Sequence, residues 1–322
     1  MRRLAANTRL VHAHVSACSF ARSFARSFAR SFADSPFRPS DRQIDVNAVI
    51  KEDETPLMIA CRMGHSSLID MLMKDLKANV DQGNDDGRTA LMRAAFCKQV
   101  KAVTTLINKY KAKVDAEDNW GATALFFAIQ EGHVDVVNAL AGTFKANVEH
   151  GKKSKGERPL MTAALMGSVD IVNLLCSRHK ANVDGQNARG QTALMYACEE
   201  GKADIVQALA GRHKARVDIR CSKGLMALHY AAINGRHEIV DMLIGKYGAN
   251  VEAVTTEDKW TALHYAADGG SLSTVKVLVN KYDANTRAVD AFGTTPLDYA
   301  NENSEQDIIK VLSDESFVVY VK

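Results

Sequence analysis

The side chains best suited to chemistry in this chain are its ten histidines, its six cysteines and its carboxylates. None of them stands in a pattern that builds a reactive centre, because the chain has no P-loop, GxGxxG, HExxH or GxSxG motif. The cysteines have no CxxC pairing and no regular spacing, which argues against zinc ligands and disulfides. We therefore expect no enzymatic activity, no catalytic residue, no cofactor and no metal site.

A phrase close to Thr-Ala-Leu-Met/His-x-Ala-Ala recurs eight times at intervals of 34 or 35 residues. We call the first residue of each copy its anchor. The anchors are Thr55, Thr89, Thr123, Arg158, Thr192, Met226, Thr261 and Thr295. Such a fixed period is typical of stacked supersecondary units, each of which contacts only its neighbours.

The copy anchored at Thr123 shows what one unit should be. Asn119–Gly121 is a turn signal, and Thr123 is a suitable N-cap for a short helix that ends at Gly132-His133. Val136 and Leu140 then have the spacing of a second amphipathic helix. Helices this short are unstable alone in water, so neighbouring units must bury one another's apolar faces.

These residues resemble the ankyrin repeat, whose phrase combines Thr-Pro-Leu-His-x-Ala-Ala, a Gly-His turn and Gly-Ala-Asp/Asn-Val-Asn. Thr55–Cys61, Thr261–Ala267, Gly132–Val137 and Tyr247–Val251 follow that phrase. The likeness covers residues 44–315 and implies an all-α solenoid of eight stacked helix-turn-helix units with hairpin tips. It also implies a non-catalytic scaffold that binds another protein through a concave groove formed by the turn tips and the first helices.

Ten residues on that expected groove are larger, more apolar or more basic than a solvated position requires. At the turn tips we predict partner contacts from aromatic, aliphatic and arginine side chains, because aromatic and arginine residues dominate interface hot spots. At the ends of the first helices we predict apolar contacts. The predicted partner-binding residues are Arg88, Trp120, Arg189, Leu225, Trp260 and Phe292 at the tips, and Phe96, Leu165, Met166 and Ile233 at the helix ends.

Two sets of aromatic residues have a competing interpretation. Trp260 follows Lys259, which replaces the turn glycine, so that tip should be distorted and the indole could fold inward. Tyrosines recur four residues after the anchors, at Tyr196, Tyr230, Tyr265 and Tyr299, and we interpret them as inter-repeat core instead of partner contacts.

Departures from the family phrase carry two further expectations. Lys replaces the usual Gly at the end of most second helices, as at Lys111, and one residue has been inserted there. We expect that the insertion lets the helix end without a left-handed conformation at this Lys. The family His survives at His229 and His264, whereas four copies have Met and one has Phe126, which should exchange a hydrogen bond for packing volume.

The chain should divide into three segments: a low-complexity stretch rich in Arg, Ser, Phe and Ala (1–43), the repeat array (44–315) and an apolar tail (316–322). Residues 1–40 carry seven Arg and one acid, a net charge of +6, and their Ser-Phe-Ala-Arg copies suit either a transit peptide or a disordered tail. A nucleic-acid-binding arm has less support.

The rest of the chain has 34 basic and 37 acidic residues, so the array is not a basic surface for nucleic acid. No apolar run approaches the roughly 20 residues that span a bilayer. We expect a cytoplasmic monomer with a protein partner, or, if residues 1–40 direct import, a mitochondrial regulatory or targeting subunit of an enzyme complex.

Overall fold

A computed structural model of the chain describes residues 45–50 and 53–313. These residues contain sixteen α-helices and no strand, which confirms the all-α class. They divide into two compact units, unit 1 up to Asn147 and unit 2 from Val148. The predicted targeting segment and the apolar tail lie outside the described residues, and the three-segment division stays a prediction.

Unit 1 is built from three helix pairs that follow the first three anchors. Its helices are α1 (Pro56–Arg62), α2 (Ser66–Lys74), α3 (Ala90–Phe96), α4 (Val100–Asn108), α5 (Ala124–Gln130) and α6 (Val134–Asn138). First helices stack on first helices, α1 on α3 and α3 on α5, while second helices form a parallel row. The apolar residues at each interface are fully buried, among them Leu91, Leu106 and Leu125.

Unit 2 repeats the arrangement with five pairs. Its helices are α7 (Pro159–Met166), α8 (Val169–Asn173), α9 (Ala193–Glu199), α10 (Ala203–Val206), α11 (Ala227–Ile233), α12 (His237–Gly245), α13 (Ala262–Asp268), α14 (Leu272–Lys276), α15 (Pro296–Glu302) and α16 (Gln306–Ser313). Residues 301–307, between and within the last two helices, are polar and mostly exposed to solvent, as a terminal repeat requires.

The anchors cap the first helices with reciprocal hydrogen bonds. In α3, the Thr89 hydroxyl oxygen accepts from the N–H of Met92 at 3.4 Å, and the Met92 sulfur accepts from the N–H of Thr89 at 3.4 Å. Met therefore supplies an acceptor of its own, and the expectation that it simply gives up the hydrogen bond was wrong. In α5 the residue equivalent to Met92 is Phe126, whose ring has no such acceptor atom. The hydroxyl of Thr123 is buried there without a hydrogen-bond partner.

In four of the eight repeats the second helix ends in a π turn, which accommodates an extra residue. After α6, α8, α10 and α14 the chain continues as one π-helical turn, in which each N–H reaches one residue further back. The π turns are Ala139–Thr143, Leu174–Arg178, Gln207–Arg212 and Val277–Lys281.

This insertion does not spare the following residue the left-handed conformation, and that expectation was wrong. Lys111 has a φ of 59°, close to the 69° of Gly248 in the same slot. The conformation is retained because the next residue closes the helix: the N–H of Ala112 donates to the carbonyl of Leu106 at 3.0 Å, and Ala112 is buried. Five lysines and one aspartate share this geometry, namely Lys77, Lys111, Lys145, Lys180, Lys214 and Asp283.

Candidate partner-binding surface

Hairpin loops and first helices form one face in each unit. We call these the hairpin face of unit 1 (residues 53–63, 81–97 and 115–131) and the hairpin face of unit 2 (150–166, 184–200, 218–234, 252–268 and 287–303). Neighbouring tips are joined by backbone hydrogen bonds, such as Asn119 N–H to the Asp86 carbonyl in unit 1 and Ser222 N–H to the Arg189 carbonyl in unit 2, both 2.9 Å. The tips are thus fixed to one another within each unit.

Buried acids organise the tips that carry the most exposed aromatic residues. The carboxylate of Asp118 accepts from the N–H groups of Trp120 and Ala122 at 3.0 and 2.8 Å. Asp290 does the same for Phe292 and Thr294 at 2.8 and 2.9 Å. These contacts hold the exposed side chains of the tips on a fixed backbone, which lowers the entropy lost on binding.

Burial alone would raise the pKa of Asp290. The N–H groups of Thr294 and Phe292, the Tyr299 hydroxyl and the Trp260 indole outweigh it and hold that pKa below its usual value. The carboxylate therefore stays ionised, and its hydrogen bonds persist, through the neutral range.

In unit 1 the structure brings three predicted contact residues together. The Arg88 guanidinium lies over the rings of Trp120 and Phe127, 5.5 and 5.4 Å from their centroids. Phe127 in turn makes an edge-to-face contact with Phe96 at 6.4 Å. Trp120 is 49% exposed, while Arg88, Phe96 and Phe127 are half-buried. Together they form a continuous aromatic patch, which we call the Trp120 patch.

Arg88 is held in that patch by carboxylates as well as by rings. Its guanidinium lies 3.5 Å from Asp86 and 4.0 Å from Asp118. Arg88 was predicted to contact a partner, but its nearest carboxylates belong to unit 1 itself. A cation over an aromatic face contributes about 0.5–1 kcal/mol at such partly exposed sites.

Unit 2 leaves four of its seven predicted residues accessible. Phe292 is 79% exposed, Met166 43% and Ile233 38%, and Arg189 is also exposed. Leu165 is half-buried beside Met166 at the end of α7. These side chains are available to a partner on the hairpin face of unit 2.

Trp260 folds inward. Its ring centroid lies 4.8 Å from that of Tyr265 and 4.6 Å from that of Tyr299, and its indole N–H donates to the Asp290 carboxylate at 3.2 Å. Lys259 has a φ of 53°, within the left-handed region that the turn glycines occupy, so the expected distortion of this tip is absent. Trp260 is a packing residue and not an open contact.

Leu225 is not an open contact either, since it is only 9% exposed, and its role in partner binding stays a prediction. The low exposure of both residues has one cause. Leu225 and Trp260 stand one residue before their anchors, whereas Trp120, Arg189 and Phe292 stand three before theirs.

Exposure at the tips follows this distance from the anchor. Three residues before the anchor, six of the seven described side chains from Asp86 to Phe292 are exposed. One residue before the anchor, none of the seven from Arg88 to Thr294 is. The register of a residue within the tip therefore separates open from closed positions.

The repeat units match a known family over most of the chain. The family profile for ankyrin repeats matches residues 39–118, 110–187, 179–255 and 248–321. The chain belongs to the ankyrin-repeat family. No match was found among curated proteins.

The recurring tyrosines of these ankyrin repeats connect first helices to tips. The hydroxyl of Tyr196 accepts from the Asn187 side chain at 3.1 Å, and that of Tyr230 from Gln191 at 3.0 Å. All four tyrosines are half-buried, and burial raises the pKa of Tyr196 to about 12. This supports their interpretation as inter-repeat packing. Phe127 occupies the same slot, yet it also extends the Trp120 patch, a role that its slot in the sequence did not indicate.

Histidine and cysteine positions in the repeats give no sign of chemistry. Among residues 45–50 and 53–313, no cluster of His, Cys, Asp and Glu could hold a metal ion. Cys61 and Cys198 are fully buried, and burial raises their thiol pKa values far above the usual range, which makes them unreactive. Across the same residues, no helix is long and apolar enough to cross a membrane.

Proposed function

We propose that this ankyrin-repeat protein is a non-catalytic scaffold that binds a partner protein through the hairpin faces of its units. Trp120, with Phe96 and Arg88, supplies the contact in unit 1. Phe292, Met166 and Ile233 supply it in unit 2, with Arg189 at the rim. The expectations of a cytoplasmic location and a monomeric state belong to the same proposal.

One observation carries this proposal: six of the eight large exposed apolar side chains among the described residues lie on the hairpin faces. Val134 belongs to a second helix, and Val49 precedes the first hairpin. The six are Trp120 in unit 1 and Met166, Ile233, Val254, Val289 and Phe292 in unit 2. Exposed apolar groups concentrated on one side, with polar neighbours, are typical of interaction sites.

The test is partner capture by the full chain and its variants. Trp120→Ala and Phe292→Ala should each weaken capture by about 2 kcal/mol or more, because a large aromatic contact is lost. Both should leave the unfolding free energy within about 1 kcal/mol, because neither ring is buried in the core. Pull-down with quantitative mass spectrometry identifies the partner, and titration of that partner gives the affinities.

Val134→Ala is the matched control, since Val134 is 37% exposed but lies on α6. It should leave capture unchanged. Equal losses for Val134→Ala and Trp120→Ala would remove the support for the hairpin face. Unfolding of the two aromatic variants would show that they are core residues.

The alternative function, a regulatory or targeting subunit of a mitochondrial enzyme complex, depends on residues 1–40, which lie outside the described part of the chain. N-terminal sequencing of the mature protein decides it. Cleavage between about residues 30 and 42 would favour import. An intact N-terminus would leave the scaffold without a mitochondrial role.

A further inference from the structure

The Trp120 patch accommodates a cationic side chain, as its own composition shows. Arg88 lies over Trp120 and Phe127 with its guanidinium close to the carboxylates of Asp86 and Asp118. Aromatic faces and carboxylates together suit guanidinium groups, which stack and pair at the same time. Arg88 does not cover the indole completely, because Trp120 remains 49% exposed.

The charges around the patch favour a second cation on that open surface. The two hairpins that carry it, 81–88 and 115–121, contain six acids and one base, a net charge of −5. Asp85, Asp115 and Glu117 are solvent-exposed, whereas Arg88 is the single base of these two hairpins. A cationic segment with aromatic side chains would be attracted by these charges and would pack on the exposed ring.

The chain itself contains a segment of this composition. Ser19–Arg30 consists of three Ser-Phe-Ala-Arg copies, with three Phe, three Arg and no acid. We propose that Ser19–Arg30 docks on the Trp120 patch of its own chain, with its guanidinium groups against the acidic hairpins and its phenyl rings against Trp120 and Phe96. The contact is intramolecular and requires no partner, but it covers the surface of unit 1 assigned above to the partner, so the segment and the partner would compete for the Trp120 patch.

The connection is long enough for this contact. Asp45, the first described residue, follows Arg30 by fifteen positions, and a chain of that length spans at most about 50 Å. The third hairpin lies two repeat steps from the first, or about 20 Å at the usual spacing of packed helices. Because the two parts share one chain, a weak contact is favoured by a high effective concentration.

The experiment uses the full chain with Trp260→Phe, which leaves Trp120 as its single tryptophan. In this parent, acrylamide quenching reports the accessibility of the Trp120 ring. A variant with Arg22→Gln, Arg26→Gln and Arg30→Gln should be quenched more strongly, roughly twofold if one ring face is uncovered. The matched control replaces the same three arginines by Lys and keeps the charge. It should retain most of the protection, because the phenyl rings of the segment cover Trp120 and the cations only attract it to the acidic hairpins.

Salt gives a second readout, because exposed charges are screened at about 0.5 M. Salt should increase quenching in the parent and leave the Gln variant unchanged. Equal quenching of parent and Gln variant at low salt would overturn the proposal and leave the acidic face to another occupant.

Photo-crosslinking from benzoylphenylalanine at Phe24 locates the contact. We expect products with residues 81–131 whose yield does not depend on protein concentration. Products confined to unit 2, or a yield that rises with concentration because a second copy supplies the segment, would refute the intramolecular contact.

Discussion

His229 should make the stability of unit 2 depend on pH. It is fully buried on α11, where its Nδ1 accepts from the N–H of Met226 at 3.0 Å and its Nε2 lies 2.9 Å from the carbonyl of Ala253. Only a neutral imidazole with its proton on Nε2 satisfies both partners. Protonation would place a second N–H at Nδ1, directly against the N–H of Met226.

The pKa of His229 is accordingly lowered from 6.5 to about 4, mainly by burial, which the hydrogen bond to Ala253 opposes and the charge of Arg220 assists. Because the folded pKa is lowered, the unfolded chain takes up a proton more readily. The stabilisation of the folded state by neutral His229 is therefore complete above pH 6.5, and it is lost as the pH falls from 6.5 towards 4. At pH 5 the loss amounts to about 2 kcal/mol. Burial lowers the pKa of His264 as well, so that residue acts in the same direction.

The assay is urea unfolding at pH 8, 6.5 and 5, followed by the fluorescence of Trp260 in a Trp120→Phe background so that it reports unit 2. His229→Met is the matched variant, since Met fills this slot in other repeats and can accept the same N–H, as Met92 does. The unfolding free energy of the protein with His229, minus that of His229→Met, should fall by about 2 kcal/mol between pH 8 and pH 5. A constant difference across this range would refute the assignment of a buried neutral His229.

Three further sets of substitutions test the helix ends, the caps and the core by urea unfolding. Lys111→Gly should stabilise unit 1 by up to about 1 kcal/mol, because glycine adopts the left-handed conformation without strain. Gly248→Lys should destabilise unit 2 by about 1–2 kcal/mol for the same reason. If both substitutions changed stability in the same direction, the left-handed conformation would not be the cause. Thr123→Val should be neutral or stabilising, because its hydroxyl has no hydrogen-bond partner, whereas Thr89→Val should cost about 1 kcal/mol of capping. Leu125→Ala should cost about 2–5 kcal/mol through a buried cavity, and a loss below that range would place Leu125 outside the core.

The sequence was sufficient for the fold because the repeat period and the apolar pattern describe the same units. Each anchor directly precedes a first helix. The Leu two residues after the anchor is buried in every copy from Leu57 to Leu263. Periodicity identifies such positions because burial recurs in the same slot. The helix ends were harder to predict, because a π turn and a left-handed Lys leave no distinct signal in a single sequence.

The binding surface could be predicted only in part, because exposure at a tip depends on register as well as residue type. Trp120 and Trp260 are both tip tryptophans, but they stand three residues and one residue before their anchors. The second position faces the aromatic side chain of the first helix, where Trp260 meets Tyr265. Residue type alone cannot distinguish these two tryptophans, whereas their distance from the anchor does.

This register also explains how the repeats can vary their surface at little cost to the fold. The position three residues before the anchor holds Trp120, Lys155, Arg189, Lys223, Asp258 and Phe292 in turn, and all six are exposed. Buried carboxylates fix the backbone around two of these positions, Asp118 in unit 1 and Asp290 in unit 2, so the exposed side chain there contributes little to the core. Selection for a partner can therefore act on this slot alone. Exchanging Trp120 with the Lys of an equivalent slot should change binding while leaving the unfolding free energy within about 1 kcal/mol, because only the contact with Arg88 is lost.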